Sequence, residues 1–290
     1  MEKFTLNSIK IKNNWFGGEK KSKFQLMGKE EGFNLYLQLF RFRVHQGDIT
    51  EHHFITSINE LQKFTKVNAD RRLSRKKIFE LLKKLSKLEI IKNNSFKDWN
   101  YLLDDEGNVI GDKLLRLEAI DVPNLTKEQV GKDKDGNPKY EERAITDNDY
   151  YIPIVFDMVN HIYDNGLNSK DLSIYYLIRK WSIANAEKKA WMNINTIEKW
   201  IGYKDTTVTK CLINLNKSGV VQTVVKKQNG SDSFEHHPFR GDLDNIQRFK
   251  KDSVDTRNKF LKRYGEKLEE ESNPFENLDE DSWGITPNGY

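Results

Sequence analysis

The chain has 290 residues, with 48 Lys and Arg against 44 Asp and Glu and a formal net charge of +4. This length allows two domains with real cores, and 37% hydrophobic with 32% charged residues is the balance of a soluble protein. No run approaches the roughly 18 apolar residues of a membrane span, the opening MEKFTLNSIKIKNNWF lacks the apolar core and cleavage site of a secretion signal, and a single cysteine fits a reducing cytoplasm.

The stretch GGEKKSK (17–23) has glycine and lysine in the wrong order for a phosphate-binding loop, and G-x-x-x-x-G-K-[ST] is missing from the chain. The first long amphipathic segment is Phe33–Val44, followed by the extended HHFIT (52–56). Ser57 has the side chain and position of an N-cap for a short helix, INELQKFTK. After the loop NADRRLS (68–74), Arg75–Leu88 reads as a third helix. Its Ile78, Leu81, Leu82, Leu85 and Leu88 fall at i, i+3, i+4, i+7 and i+10. Ile90-Ile91 opens a strand, and YLLDDEGNVIGDKLLRLEAI (101–120) turns through its acids, which cap or solvate that turn.

Residues 121–149 are highly charged, lack an apolar period, and read as a linker or extended crossover. Beyond them Ile152, Ile154, Val155, Met158, Val159 and Ile162 are expected on one helix face, ended by Asn165-Gly166. This leading helix has no evident counterpart earlier in the chain, and it either packs internally or forms the face of a homodimer.

From there the first pattern returns. Ser169–Ala184 is a long helix, AWMNI (190–194) is extended, Asn195 is the expected N-cap, and TIEKWIGYK is the short helix. Thr206–Lys217 is the third helix, with Val208, Cys211, Leu212 and Leu215 in the register of the first copy. Val220-Val221 matches Ile90-Ile91, Ile58-Asn59 matches Ile194-Asn195, and Phe64 matches Trp200. VVQTVVKKQNGSDSFEHH then forms a hairpin about Asn229-Gly230. Helix, strand, helix, turn, helix, strand and hairpin is the order of a winged helix-turn-helix. The expected fold is therefore mainly α with small β hairpins (α+β): two winged helix-turn-helix domains in tandem. The domains are 1–120, a charged linker 121–150, a second winged helix with its leading helix at 151–250, and a C-terminal helix with an acidic tail at 251–290.

Charge is distributed unevenly along this plan. From Ser57 to Lys92 there are eleven Lys and Arg against four acids, whereas Glu266–Tyr290 has eight acids and one lysine. A basic body with an acidic extension points to a polyanion partner. In a winged helix the third helix enters the major groove, N-terminal residues first, and the wing touches the backbone. The expected contacts to double-stranded DNA are Arg71, Arg72, Ser74, Arg75, Lys76, Lys83 and Lys84 in the first copy. In the second they are Lys204, Thr206, Thr207, Thr209 and Lys210, with Lys226, Lys227 and Asn229 on the wing. Arginine can grip guanine with two hydrogen bonds, and the hydroxyls reach several bases. The adjacent pairs His52-His53 and His236-His237 point to opposite faces of a strand, a poor arrangement for one metal. No catalytic residue, metal or cofactor is expected.

Two winged helices separated by a charged segment resemble the replication initiators of Gram-positive plasmids, phages and related mobile elements. NGLNSKDLSIYYLIRKW followed by MNINTIEKWIGYKDTTVTKCLINLNKSGVV carries most of the resemblance, and Phe33–Asn94 carries the rest. It implies a non-enzymatic protein that binds repeated origin sequences and recruits host replication proteins. In the acidic tail, acids interspersed with Phe and Trp make NPFENLDEDSW a segment that docks on a replication protein, folds back over the basic DNA face, or only solvates the chain end. A transcriptional regulator and a DNA-organising accessory protein share the same fold and stand as alternatives.

Overall fold

The computed structural model describes residues 8–12, 15–17, 21–44, 52–68, 70–96, 98–121, 125–132, 138–144, 151–183, 188–228 and 231–272. The first half runs β1 (Ser8–Lys12), α1 (Lys23–Leu26), α2 (Lys29–Leu39), β2 (Arg43–Val44), β3 (His52–Thr56), α3 (Ile58–Phe64), α4 (Arg75–Lys87), β4 (Ile91–Asn93) and β5 (Leu115–Ala119). Two strands follow, β6 (Leu125–Lys132) and β7 (Pro138–Ala144). The second half runs β8 (Tyr151–Val155), α5 (Phe156–Asp164), α6 (Ser169–Ile183), β9 (Ala190–Trp191), α7 (Ile194–Ile201), α8 (Asp205–Ser218), β10 (Val221–Gln228) and β11 (Ser231–Pro238). Helices α9 (Ile246–Asp252) and α10 (Val254–Ser272) follow.

Among the described residues the strands form small antiparallel sheets, in a mixed α+β fold. The repeat read from sequence is present in the topology. In each half a helix leads to a strand, two further helices and two more strands, and the last strand lies between the other two: β3-β5-β4 in one, β9-β11-β10 in the other.

The repeat also reaches further back than its sequence pattern. The helix expected across Ile152–Ile162 begins only at Phe156, and Ile152 and Ile154 are buried on β8 instead. Isoleucines two apart around Pro153 have a strand period, and proline is excluded from a helix interior. Met158, Val159 and Ile162 are buried within the chain. Strand β8 and α5 thus answer β1 and α1, so the leading helix does have a counterpart. The two corresponding strands pair antiparallel, Ser8 opposite Val155 and Lys12 opposite Tyr151. Antiparallel pairing of equivalent segments is what a two-fold relation between the halves produces.

Other boundaries shift for local reasons. The first long helix starts at Lys29, behind Gly28, and ends at Leu39, where a 3-10 turn (Phe40–Phe42) leads into β2. Ser57 caps α3 as expected, accepting from the Glu60 amide at 3.2 Å. The cap of α7 is Asn193 rather than Asn195, its carboxamide accepting from the Thr196 amide at 2.8 Å. Both asparagines have a capping side chain, and sequence alone did not separate positions two apart. The segment expected as a linker carries the β6–β7 ladder, with a bulge at Gln129/Gly131. It begins at Asp121, whose buried carboxylate accepts from Lys12 at 2.8 Å, Lys23 at 2.5 Å and the Trp15 indole at 2.9 Å. Burial raises the pKa of Asp121, but the two lysines more than compensate and hold it below the ordinary carboxylate value.

The apolar stripes of the two third helices are core. Ile78, Leu82, Leu85, Val208, Leu212 and Leu215 are fully buried, as are Cys211 and both strand-opening pairs. Phe64 departs from the core expected for it: it is 39% exposed, between Phe42 and the Arg41 guanidinium. Its counterpart Trp200 is half-buried and stacks on Trp181 at 4.5 Å. Phe42 lies in the 3-10 turn after α2 and Trp181 near the end of α6, so the two rings rest on aromatic residues at similar places. That surface is a partial shelter, which a hydrophobic period does not distinguish from a core.

The third helices also end alike. The Ile90 amide donates to the Leu85 carbonyl at 3.0 Å and the Val220 amide to the Leu215 carbonyl at 3.2 Å, a closure that needs a left-handed residue in between. The second copy supplies Gly219 (φ 75), and the first supplies Glu89 (φ 54). A side chain in that region is strained by about 1–2 kcal/mol. Glu89→Gly is expected to raise stability by about 1 kcal/mol, and Leu85→Ala to lower it by about 2–5 kcal/mol. Denaturant melts of the two variants, with unchanged m-value, check both.

Candidate nucleic-acid interface

Helix α4 begins in an unusual electrostatic setting. Its first three residues are Arg75, Lys76 and Lys77, with no acid in the first turn. A helix N-terminus already carries about half a positive charge, so cations there work against helix stability. Ser74 caps this end, accepting from the Lys77 amide at 3.2 Å, so its oxygen is committed to the helix rather than presented as a bare acceptor. Just upstream, α3 and α4 are joined by a small hairpin in which Lys66 pairs with Arg72. The Val67 amide donates to the Arg71 carbonyl at 2.7 Å and the Leu73 amide to the Thr65 carbonyl at 3.0 Å. This turn places Arg71 and Arg72 beside the helix start, and both are exposed together with Arg75 and Lys76. The ion pairs nearby involve other residues, Lys77 with Glu31 at 2.8 Å and Lys63 with Glu60 at 2.5 Å. Lys83 and Lys84 lie further along the exposed side, Lys83 over the Phe79 ring at 5.2 Å.

The start of α8 is built differently. Lys204 occupies the cap without a side-chain hydrogen bond, and Asp205 follows, its carboxylate accepting from the Thr206 amide at 2.6 Å. Thr206 and Lys210 are exposed, while Thr207 and Thr209 are half-buried. This surface offers hydroxyls and two lysines around one carboxylate, in place of the first copy's dense charge.

The halves hold each other's turns. Lys29, the first residue of α2, donates to the Gly202 carbonyl at 2.5 Å. Ser169, the first residue of α6, donates from its amide at 3.1 Å and its hydroxyl at 3.2 Å to the Val67 carbonyl. Gln25 adds bonds to the Lys199 and Trp200 carbonyls at 3.1 and 3.2 Å, and Tyr203 donates to Glu30 at 2.9 Å. Gly202 (φ 73) ends α7 and lies where any Cβ would meet the Gln25 amide nitrogen at 3.0 Å.

On the β10–β11 hairpin, Lys227 is exposed, and Lys226 is also exposed but pairs with Glu235 at 2.7 Å. Asn229 lies outside the described residues, as does the tail segment NPFENLDEDSW. Sequence reading missed Trp191, which is 47% exposed on β9 with the ammonium groups of Lys226 and Lys189 at 4.7 and 5.0 Å from its ring. The signal was available in EKKAW, two lysines ahead of an aromatic residue. Glu235 gathers Lys189, Lys226 and His237 and is held below the ordinary carboxylate pKa, the hydrogen bonds from these neighbours outweighing its burial.

A buried polar chain fixes this hairpin to α8. Asn216 accepts from the Thr223 amide and donates to its hydroxyl, both at 2.9 Å. The Thr223 hydroxyl meets His236 Nδ1 at 3.1 Å, and His236 Nε2 meets the Met192 carbonyl at 3.1 Å. Since that carbonyl can only accept, the proton sits on Nε2 and Nδ1 accepts from Thr223. On the described residues no cluster of His, Cys, Asp and Glu could hold a metal ion, and no helix is long and apolar enough to cross a membrane.

Compared with known protein families, curated proteins and solved structures, the chain matches none.

Burial lowers the pKa of His236 to about 4, below the 6.5 of a free imidazole. The folded state therefore keeps it neutral while the unfolded chain takes up a proton below about pH 6.5. Its contribution to stability is complete above that pH and is lost as pH falls towards 4, about 3 kcal/mol across the window. Urea midpoints between pH 7 and 5 are expected to fall accordingly, with a flatter slope in His236→Gln.

Proposed function

We propose that this chain is a sequence-specific double-stranded DNA-binding protein made of two winged helices locked into one body, with α4 and α8 as its reading helices. The observation that carries the reading is the start of α4. Arg71, Arg72, Arg75 and Lys76 converge there, exposed, at the positive end of a helix. Such a concentration opposes folding and is compensated by an external anion. The Ser169–Val67 and Lys29–Gly202 contacts hold the α4 and α8 turns in fixed relation, so one molecule presents both reading helices together. Trp191, Lys226 and Lys227 would lie against backbone or minor groove as the second wing.

In this arrangement the arginines of α4 read base edges and Lys83 and Lys84 meet phosphates. The threonines of α8 contribute hydrogen bonds with little long-range attraction, so the first half dominates affinity and its dependence on salt. The biological role that the sequence resemblance supports is initiation of replication of a mobile element, by marking repeated origin sequences for host replication proteins. Selection from a random duplex pool gives the recognised sequence, and footprints over tandem copies of it in a replicon separate initiation from promoter control.

Arg72→Ala and Arg75→Ala are each expected to cost about 1–3 kcal/mol on the selected duplex and to relax specificity. Lys83→Ala and Lys84→Ala should each reduce the slope of affinity against salt by about one phosphate contact. Fluorescence anisotropy across a salt series measures both, and unchanged affinities and slopes in all four variants would reject this surface.

A further inference from the structure

The two halves share a topology but differ sharply in one connection. Two residues separate β10 from β11, whereas residues 94–114 stand between β4 and β5. This longer wing is built and anchored. A 3-10 turn covers Trp99–Leu102, Leu103 bridges to Val109, and the Asn59 amide of α3 donates to the Gly111 carbonyl at 2.8 Å. A Cβ on Gly111 would come within 2.1 Å of the Asn59 side chain, so the wing sits directly on the helix.

Its surface carries an apolar centre with Lys113 over the Tyr101 ring at 4.0 Å and Arg116 at the edge, and carboxylates outnumber these cations around it. Tyr101 stacks on Phe96 at 3.7 Å and is 47% exposed, and Leu114 is 53% exposed. With Asn94, Ser95 and Arg116 they line a cleft of about 270 Å³. Five carboxylates, Asp98, Asp104, Asp105, Glu106 and Asp112, are exposed on the same connection, against two lysines in its sequence. The Asp104 carboxylate accepts from the Asn108 and Glu106 amides, and the Asn108 bond chiefly holds its pKa below the ordinary value. A wing of this sign is repelled by a phosphate backbone, so it calls for a cationic partner with an apolar anchor.

The chain itself carries such a surface. Trp191 stands out from the second wing between Lys189 and Lys226, with Lys188 and Lys227 exposed nearby. The wing's two carboxylates are already engaged, Glu235 by its three neighbours and Asp232 by Arg263 at 2.6 Å. The exposure of Trp191, Tyr101 and Leu114 leaves both surfaces open within one molecule. We infer that copies of this chain associate head to tail, the acidic first wing of one seating Trp191 and the flanking lysines of the next. Such a contact is heterologous and extends into chains unless its rotation closes. It is small and charge-dominated, hence weak and screened by salt. It also occupies the lysines that the second wing would turn to DNA, a consequence that rests on the DNA-binding reading and gives free copies a way to mask that wing.

Sedimentation velocity of the full chain without DNA tests the association directly. The expected result is a concentration-dependent rise in mass at low salt that disappears at high salt. Leu114→Glu and Trp191→Glu, both at exposed positions, should each give monomers with unchanged melting temperature. Mixing the two variants should restore a one-to-one dimer that grows no further, because each retains the wing the other has lost. A monomer at every concentration, oligomers indifferent to both substitutions, or a mixture that stays monomeric overturns the inference. Leu114→Glu should bind a random-sequence duplex at least as tightly as the original chain, and a loss there would place the first wing on DNA and overturn the inference as well. The sedimentation result stands whether or not the duplex measurements find DNA binding.

Discussion

The carbonyls at the ends of α3 and α7 govern how this molecule is assembled. A helix leaves its last carbonyls without internal partners, and burying them unpaired costs about 1–3 kcal/mol each. In each half these groups, or the turn just beyond them, are met by the opposite half. Lys29 and Gln25 reach the end of α7, and Ser169 reaches the turn after α3. Neither half satisfies its own turn alone, and the contacts are reciprocal. Together with the β1–β8 ladder they place the starts of α4 and α8 in one rigid relation, on which any joint use of the two helices depends. The shared interior continues the theme, with Phe33 against Tyr176 and Phe24 against Tyr203 across the boundary.

Once the scaffold is duplicated, charge is what distinguishes the copies. The first concentrates cations at a helix start where the macrodipole already opposes them, and its β4–β5 connection is rich in acids. The second puts a carboxylate at the corresponding helix start and cations on its β10–β11 hairpin. The apolar stripes beneath these surfaces are nearly interchangeable, so selection for folding leaves the outer faces free to diverge. The buried polar chain from Asn216 to His236 shows the opposite constraint. Every member requires its neighbour's donor or acceptor, which ties wing and helix more specifically than apolar packing does.

Much of this fold was legible because it rests on local rules. The stripes of α4 and α8, the cap at Ser57 and the Asp104 turn each depend on neighbours within a few residues. The cap at Asn193, the strand at Ile152–Ile154 and the exposure of Phe64 were misread where two local readings competed and long-range packing chose between them. The basic start of α4 was visible in NADRRLSRKK, whereas the lysines ahead of Trp191 gained a distant partner only when the sheet brought Lys226 to its ring.

Sequence by itself therefore determined that two similar helical units exist, which of their faces are apolar, and where positive charge gathers, because period, capping and composition act over one or two turns of chain. Only the tertiary structure decided that the units are clasped rather than strung on a linker, that β1 belongs beside β8, and that Lys226 comes to the exposed ring of Trp191. The first two outcomes join residues more than a hundred positions apart, as Lys29 does Gly202 and Ser169 does Val67. What selects such pairings is the satisfaction of particular carbonyls by distant donors where the halves meet, and no local pattern carries that information.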